Sequence, residues 1–263
     1  MALVISLAIL APNNSMEPTW PAATKRMRDT SLVLARRLIS RPLGSQSRGS
    51  VSLVSRVVEN FHGGPVERYR AEMEPYEAMA LREARRRLLA DLSGHLLEIG
   101  AGLGQSFPLY PAHVQVTAIE PFDAFRDEAR RTSSRSIANI EVVSGDAHDL
   151  AFPEGSFDGL VCSLVLCCLR DPLTALMEMR RVLKPDAPAR FLEHVRSPRL
   201  PAAAIQYAVG PFWKTFDGAG YTITRNSIAT IVQAGFRLEQ VHEVILPGLI
   251  GLLFPGREVY AWA

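Results

Sequence analysis

Apolar and polar positions along this chain change period several times, and each change marks an element. Over 65–91 charged residues surround Tyr69, Tyr76, Met79, Leu88 and Leu89 in a pattern that predicts helix. The chain then takes up a βα rhythm. Short apolar runs at 95–99, 114–119, 140–143, 159–166 and 190–195 predict five strands. A helical stretch over 122–131 separates the second strand from the third. Another spans 172–183, where Leu173, Leu176, Met177, Met179 and Leu183 form an apolar face, and the breaker Lys184-Pro185-Asp186 ends it. Two more strands, 236–244 and 258–262, lie so close in sequence that an antiparallel arrangement is expected. Strands alternating with helices predict an α/β fold. The expected form is a Rossmann-like, doubly wound, mostly parallel seven-stranded sheet with an antiparallel last strand.

At 263 residues the chain suits one α/β domain, 59–263, preceded by a basic N-terminal extension, 1–58. The formal net charge is only +2, so no global electrostatic footprint points to a nucleic-acid partner. The charge is unevenly spread. Lys25, Arg26, Arg28, Arg36, Arg37, Arg41, Arg48 and Arg56 face only Glu17 and Asp29 in the extension. Its apolar start, 2–11, is about half the length of a membrane span and lacks a preceding basic residue. Three readings stay open: an organelle transit peptide, a peripheral membrane tether carrying Leu32, Leu34, Leu38 and Ile39, or a solvated extension. They place the protein inside the cell, in the cytoplasm, at a membrane surface or in an organelle. The three cysteines, Cys162, Cys167 and Cys168, share one apolar segment, which suits buried reduced thiols and neither a disulfide framework nor a metal site.

Candidate chemistry begins directly after the first strand, at Glu98-x-Gly100-x-Gly102-x-Gly104. Glycines there allow a tight turn and close ligand approach at the carboxyl edge of the sheet. A dinucleotide fingerprint wants its third glycine where Gln105 stands, which disfavours a nicotinamide-dependent oxidoreductase. The acid Glu98 within the turn suits a cofactor with a cationic ammonium group. Glu120, at the end of the second strand, can accept both hydroxyls of a ribose. Pro121 follows, and then Phe122, whose ring can pack on an adenine face. After the third strand comes Gly145-Asp146-Ala147, where a carboxylate can accept from the adenine amine and the Ala147 amide can reach a ring nitrogen. A turn or capping role for Asp146 is the alternative.

With these residues in this order, the chain resembles the class I S-adenosylmethionine-dependent methyltransferases from about Tyr69 to its end. The resemblance implies S-adenosyl-L-methionine as cofactor, held by Glu98, Gly100, Gly102, Gly104, Glu120, Pro121, Phe122, Asp146, Ala147 and Ser163. The family's Lys-Pro-Gly-Gly turn appears here as Lys184-Pro185-Asp186-Ala187. Three further segments, around Val161–Cys168, Leu192–Val195 and Phe216–Arg225, look like the thiol methyltransferases of animal endoplasmic reticulum and lipid droplets, and like related bacterial proteins. Ala219-Gly220 departs from the Cys-Asn expected in the animal proteins. That narrower likeness implies a small-molecule acceptor, a thiol or a lipophilic compound. Quinone, phenol and phospholipid methyltransferases share the same core and remain competitors, as does a membrane-associated protein that binds the cofactor without turnover.

A thiol of pKa about 8.5 is partly ionised at neutral pH, so a strong base is not obligatory. His194, at the end of the fifth strand, is the candidate catalytic base, with a purely structural hydrogen bond as the alternative. Glu193 should face the other side of that strand. Asp217 and Arg225 either fix a loop over the acceptor or form a plain ion pair. Tyr207, Phe212 and Trp213 either line the acceptor pocket or pack a helix. The apolar stretch 245–255 suits peripheral membrane contact if exposed and core if buried.

Overall fold

The structure, a computed structural model, describes residues 65–217, 222–246, 251 and 255–263. The expected extension 1–58 and the boundary after it lie outside these residues.

The chain enters as helix α1 (Pro65–Tyr76), one π-helical stretch (Glu77–Leu81) and helix α2 (Arg82–Leu89). Pro75 sits inside α1, where it removes a backbone donor, and the wider turn follows directly after it. On α2 the buried residues are Ala84, Arg85, Leu88 and Leu89, one face of a helix at the spacing that predicts it.

Strands β1 (His95–Ile99), β2 (Gln115–Ile119), β3 (Asn139–Val143), β4 (Gly159–Ser163), β5 (Pro188–His194), β6 (Arg237–Val244) and β7 (Gly256–Trp262) form one sheet. Its order is β3-β2-β1-β4-β5-β7-β6. The first five pair in parallel, and β7 runs antiparallel to both β5 and β6. The expected doubly wound, seven-stranded fold is therefore the observed one. The order reverses between β1 and β4, and ligands of open α/β sheets bind outside the carboxyl ends at such a switch point.

Helix α3 (Asp123–Ser133) links β2 to β3, and α4 (Pro172–Arg181) links β4 to β5. Two apolar clusters cover the two faces. Leu97, Ile99, Leu160, Cys162 and Phe191 pack toward α4, while Leu96, Val116, Ala118 and Val161 pack toward Leu89 and Leu92. Central strands buried on both faces explain why their sequences read as continuous apolar runs.

Four differences from the sequence reading have physical causes. β4 ends at Ser163 instead of running to Leu166, because Leu164 takes a positive φ of 59° and the next amides turn toward a buried carboxylate. α3 begins after Phe122, which keeps extended backbone as its N-cap. Helices α5 (Leu200–Asp217) and α6 (Ser227–Gln233) fill a region where apolar periodicity singled out nothing. α5 is apolar nearly throughout and carries Gly210 and Pro211, while α6 has only seven residues and depends on the Asn226 side chain, which accepts from the Ala229 amide. Finally, Lys184-Pro185-Asp186-Ala187 keeps a glycine-type turn without the glycine. The Ala187 amide donates to the Lys184 carbonyl at 3.1 Å, and Asp186 adopts φ 57°, as the third residue of a type II turn must.

Candidate functional site

The turn after β1 is built around left-handed glycines. Gly100, Gly102 and Gly104 have φ of 68°, 58° and 80°. At two of them space is short as well: a Cβ on Gly100 would collide with the Val165 side chain, and one on Gly104 would come within 2.6 Å of the Phe107 ring. Only glycine satisfies both conditions. The turn is tied to the neighbouring strand by the Ala101 amide, which donates to the Ile119 carbonyl at 2.9 Å.

Two buried carboxylates flank it. Glu98, on the last turn-ward step of β1, accepts from the Tyr110 hydroxyl at 2.9 Å. Burial pushes its pKa up to about 7, against the pull of hydrogen bonds from Ser106 and Tyr110 and of the Arg85 charge. Glu120 follows β2 directly. Its Oε2 accepts from the Gly102 amide at 2.9 Å and its Oε1 from the Phe122 amide at 3.1 Å. Burial raises this carboxyl too, and the two amides oppose the rise. Arg126 fixes the segment by donating to the carbonyls of Glu120 (2.9 Å) and Pro121 (3.0 Å). The Phe122 ring stands in solvent beside the site, 69 % exposed.

Asp146 is exposed, and it performs the turn role weighed for it: its Oδ1 accepts from the His148 amide at 2.9 Å and meets the His148 ring at 2.7 Å. Those bonds hold its pKa below the ordinary value. Ala147 beside it is buried. Ser163 is the partly buried last residue of β4.

Strand register sorts the remaining candidates. Glu98 lies opposite Val161, and Val161 opposite Arg190, so these three project from one face. By alternation Ser163 and His194 share that face. Glu193 projects from the other, as the sequence predicts, and is fully buried there. Its Oε1 accepts from the amides of Val165 (2.9 Å) and Leu166 (3.0 Å) and from the Cys162 thiol (3.8 Å). Burial lifts its pKa to about 7, again against the backbone donors. Arg225 is partly buried. Its guanidinium donates to the carbonyls of Leu166 and Leu169, the latter at 2.7 Å, and so grips the turn after β4. Tyr207 lies 54 % exposed and accepts from Arg196 at 3.1 Å, while the side chains of Phe212, Trp213 and Asp217 lie outside the described residues. Ile245 is exposed, Leu246 is buried, and most of 247–254 lies outside the described residues.

The structure also brings in two residues that the motif reading passed over. Tyr69, on α1, places its hydroxyl 3.9 Å from where a Cβ on Gly102 would stand, and its ring meets Phe125 edge-on at 5.3 Å. Arg85, on α2, is buried and pairs with Glu77 at 2.9 Å. The available signal was spacing: Arg85 falls on the apolar stripe with Leu81, Leu88 and Leu89. Among the described residues no group of three His, Cys, Asp or Glu side chains is placed to hold a metal ion, and no helix is long and apolar enough to cross a membrane.

This arrangement offers a glycine cradle, acids at both ends of it and an exposed aromatic ring, a donor and acceptor set that fits an adenosine carrying an amino-acid tail. Comparison with known proteins agrees. Residues 97–191 match the family described as Methyltransferase domain. Thiol S-methyltransferase TMT1B of Rattus norvegicus is 33% identical over 145 residues, 54% of this chain and 59% of that protein. The chain thus matches well under two thirds of that relative's length. Human thiol S-methyltransferase TMT1A is 30% identical over 175 residues, 64% of this chain and 69% of that protein. A phosphatidylethanolamine N-methyltransferase of Cereibacter sphaeroides is 30% identical over 136 residues, 50% of this chain and 67% of that protein. In fold, an S-adenosylmethionine-dependent methyltransferase from Mesorhizobium loti superposes with a TM-score of 0.53 at 18% identity, over 69% of this chain and 96% of that one. On these grounds the chain belongs to the class I S-adenosylmethionine-dependent methyltransferase family.

Proposed function

We propose that this protein transfers a methyl group from S-adenosylmethionine to a small or lipophilic thiol. The observation that carries the reading is the Gly100–Gly104 cradle closed between Glu98 and Glu120. When bound, the cofactor supplies a sulfonium-activated methyl group. Glu98, once ionised, receives the ammonium of its amino-acid tail. Glu120 keeps lone pairs beyond those used by Gly102 and Phe122, and these accept the ribose hydroxyls. Asp146 and the Ala147 amide address the adenine, and Phe122 lies against its face beside Pro121. Ser163 borders the site at the end of β4.

The acceptor reaches the carboxyl edge on the face that His194 shares with Glu98 and Ser163. With the cofactor bound, the acceptor sulfur would take the methyl group, and the sulfonium would leave as a neutral thioether. The thiol proton passes to the His194 imidazole and on to solvent. Holding nucleophile and methyl in line is the main contribution, and orientation of this kind is worth roughly 7–11 kcal/mol. The thiol assignment rests on the names of the relatives. Exposed Ile245, at the start of the apolar stretch 245–255, supports peripheral contact with a lipid surface and a lipophilic acceptor. It also supports a second reading, phospholipid N-methylation.

Incubation with methyl-labelled S-adenosylmethionine and a panel of thiols, lipophilic phenols and phospholipids tests this. Label on a thiol supports the proposal. Label on a phenol or a phospholipid overturns the acceptor, and no affinity for S-adenosylhomocysteine overturns the cofactor.

A further inference from the structure

A cofactor with an amino-acid tail brings one positive and one negative group into the site. The acids described above account for the positive one. Glu98 and Glu120 beside the turn are buried acids, so a carboxylate brought to it needs a cation to meet it.

Such a cation exists. Arg85 is only 4 % exposed and lies on α2, the helix whose Leu89 packs on the sheet face from which Glu98 projects. One of its nitrogens, Nη2, donates to Glu77. Nε and Nη1 are buried and have no hydrogen-bond partner among the described residues. Buried guanidinium donors left in this state are uncommon and call for an explanation. The same charge opposes the burial-driven rise in the pKa of Glu98, Tyr69 and Tyr110, side chains around the glycine turn. The Tyr69 hydroxyl stands 3.9 Å from where a Cβ on Gly102 would be. Burial pushes this phenol up to about 12, so it remains a donor at any working pH.

We propose that Arg85, assisted by the Tyr69 hydroxyl, receives the α-carboxylate of the cofactor's amino-acid tail. The inference rests on the cofactor reading above and names the part of the chain that selects for the intact tail. Glu98 and Arg85 then read the two ends of one zwitterion, and Glu77 holds the guanidinium in orientation while the free donors face the ligand. Arg85 recognises and positions, and it takes no part in the bond exchange.

The test compares binding of S-adenosylhomocysteine with its decarboxylated analogue, which keeps the ammonium, by calorimetry on the full chain. A charge-assisted contact of this kind predicts that the wild type prefers the intact tail about ten- to a hundredfold. Arg85→Met should reduce the preference to within about threefold, chiefly by weakening the carboxylate-bearing ligand, and Tyr69→Phe should reduce it in part. Because Arg85→Met leaves Glu77 buried and uncompensated, Glu77→Gln/Arg85→Met serves as the paired variant, with circular dichroism to confirm folding. Equal binding of the two ligands by the wild type overturns the proposal without reference to any variant. An undiminished preference in a folded Arg85 variant overturns it as well. Failure of the wild type to bind either compound overturns the cofactor reading underneath, a different result from binding both alike.

Discussion

Gly102 and Glu120, on separate strand ends, are joined by a hydrogen bond from the Gly102 amide to Oε2 of Glu120 at 2.9 Å. The carboxylate proposed to take the ribose also pins the turn that cradles the tail. Its removal should therefore affect cofactor affinity through two routes. Hydrogen bonds to a charged group contribute about 1.5–3 kcal/mol each, so Glu120→Ala should weaken S-adenosylhomocysteine by about ten- to a thousandfold. Glu120→Gln retains an acceptor for one amide and should lose less. Calorimetric titration of both variants checks the order.

Glu193 does comparable work on the other face. Its carboxylate takes the amides of Val165 and Leu166, and Val165 occupies the space that keeps Gly100 a glycine. Glu193→Ala strands those amides and should cost about 2–5 kcal/mol in urea unfolding, with Glu193→Gln costing less. Gly100→Ala should cost at least about 2 kcal/mol, from the left-handed φ and the clash with Val165 together, and should abolish cofactor binding in any folded fraction. A melting temperature unchanged in Gly100→Ala would contradict the packing described.

Glu98 and Glu193 give stability a definite pH dependence. Burial holds both carboxyls protonated up to about 7, whereas the unfolded chain releases these protons near 4.5. Between those values the native state binds more protons than the unfolded one. Their contribution is full below about 4.5 and is lost as pH rises through about 7. Urea midpoints should fall across that window, and Glu98→Gln or Glu193→Gln should each flatten part of the slope. Cofactor affinity should move the opposite way, strengthening as pH rises through about 7 while Glu98 ionises, and Glu98→Gln should remove that rise.

His194 closes β5, and its own carbonyl accepts from the Ser227 hydroxyl at 3.4 Å. If its imidazole takes the acceptor's proton, His194→Ala should lower kcat by about a hundredfold or more and leave S-adenosylhomocysteine affinity within about threefold. The loss should shrink as pH approaches the thiol's own pKa, because an acceptor already ionised needs no base. Turnover unchanged in this variant would reduce His194 to a structural residue.

Local order was enough for a large part of this protein. The alternation of apolar runs and helical stretches carries the seven strands, and Glu98, the three glycines, Glu120 and Asp146 stand out in it because each lies at or shortly after the carboxyl end of a strand. A βα unit must deliver its loop to the carboxyl edge of a parallel sheet, so position in sequence fixes position in the site. Tertiary structure decided the matters that depend on what lies across a gap. The strand at 159–166 stops at Ser163 because Glu193, far along the chain, draws the next amides out of the ladder. Asp186 keeps a left-handed turn where the family has glycine, since the turn's closing hydrogen bond outweighs the modest strain of an Asp there. Arg85 reads in sequence as one more arginine of a charged helix. Only the packing of that helix on the sheet turns it into a buried cation with donors to spare, because burial and electrostatic neighbourhood are properties of the assembled layers and not of any local pattern.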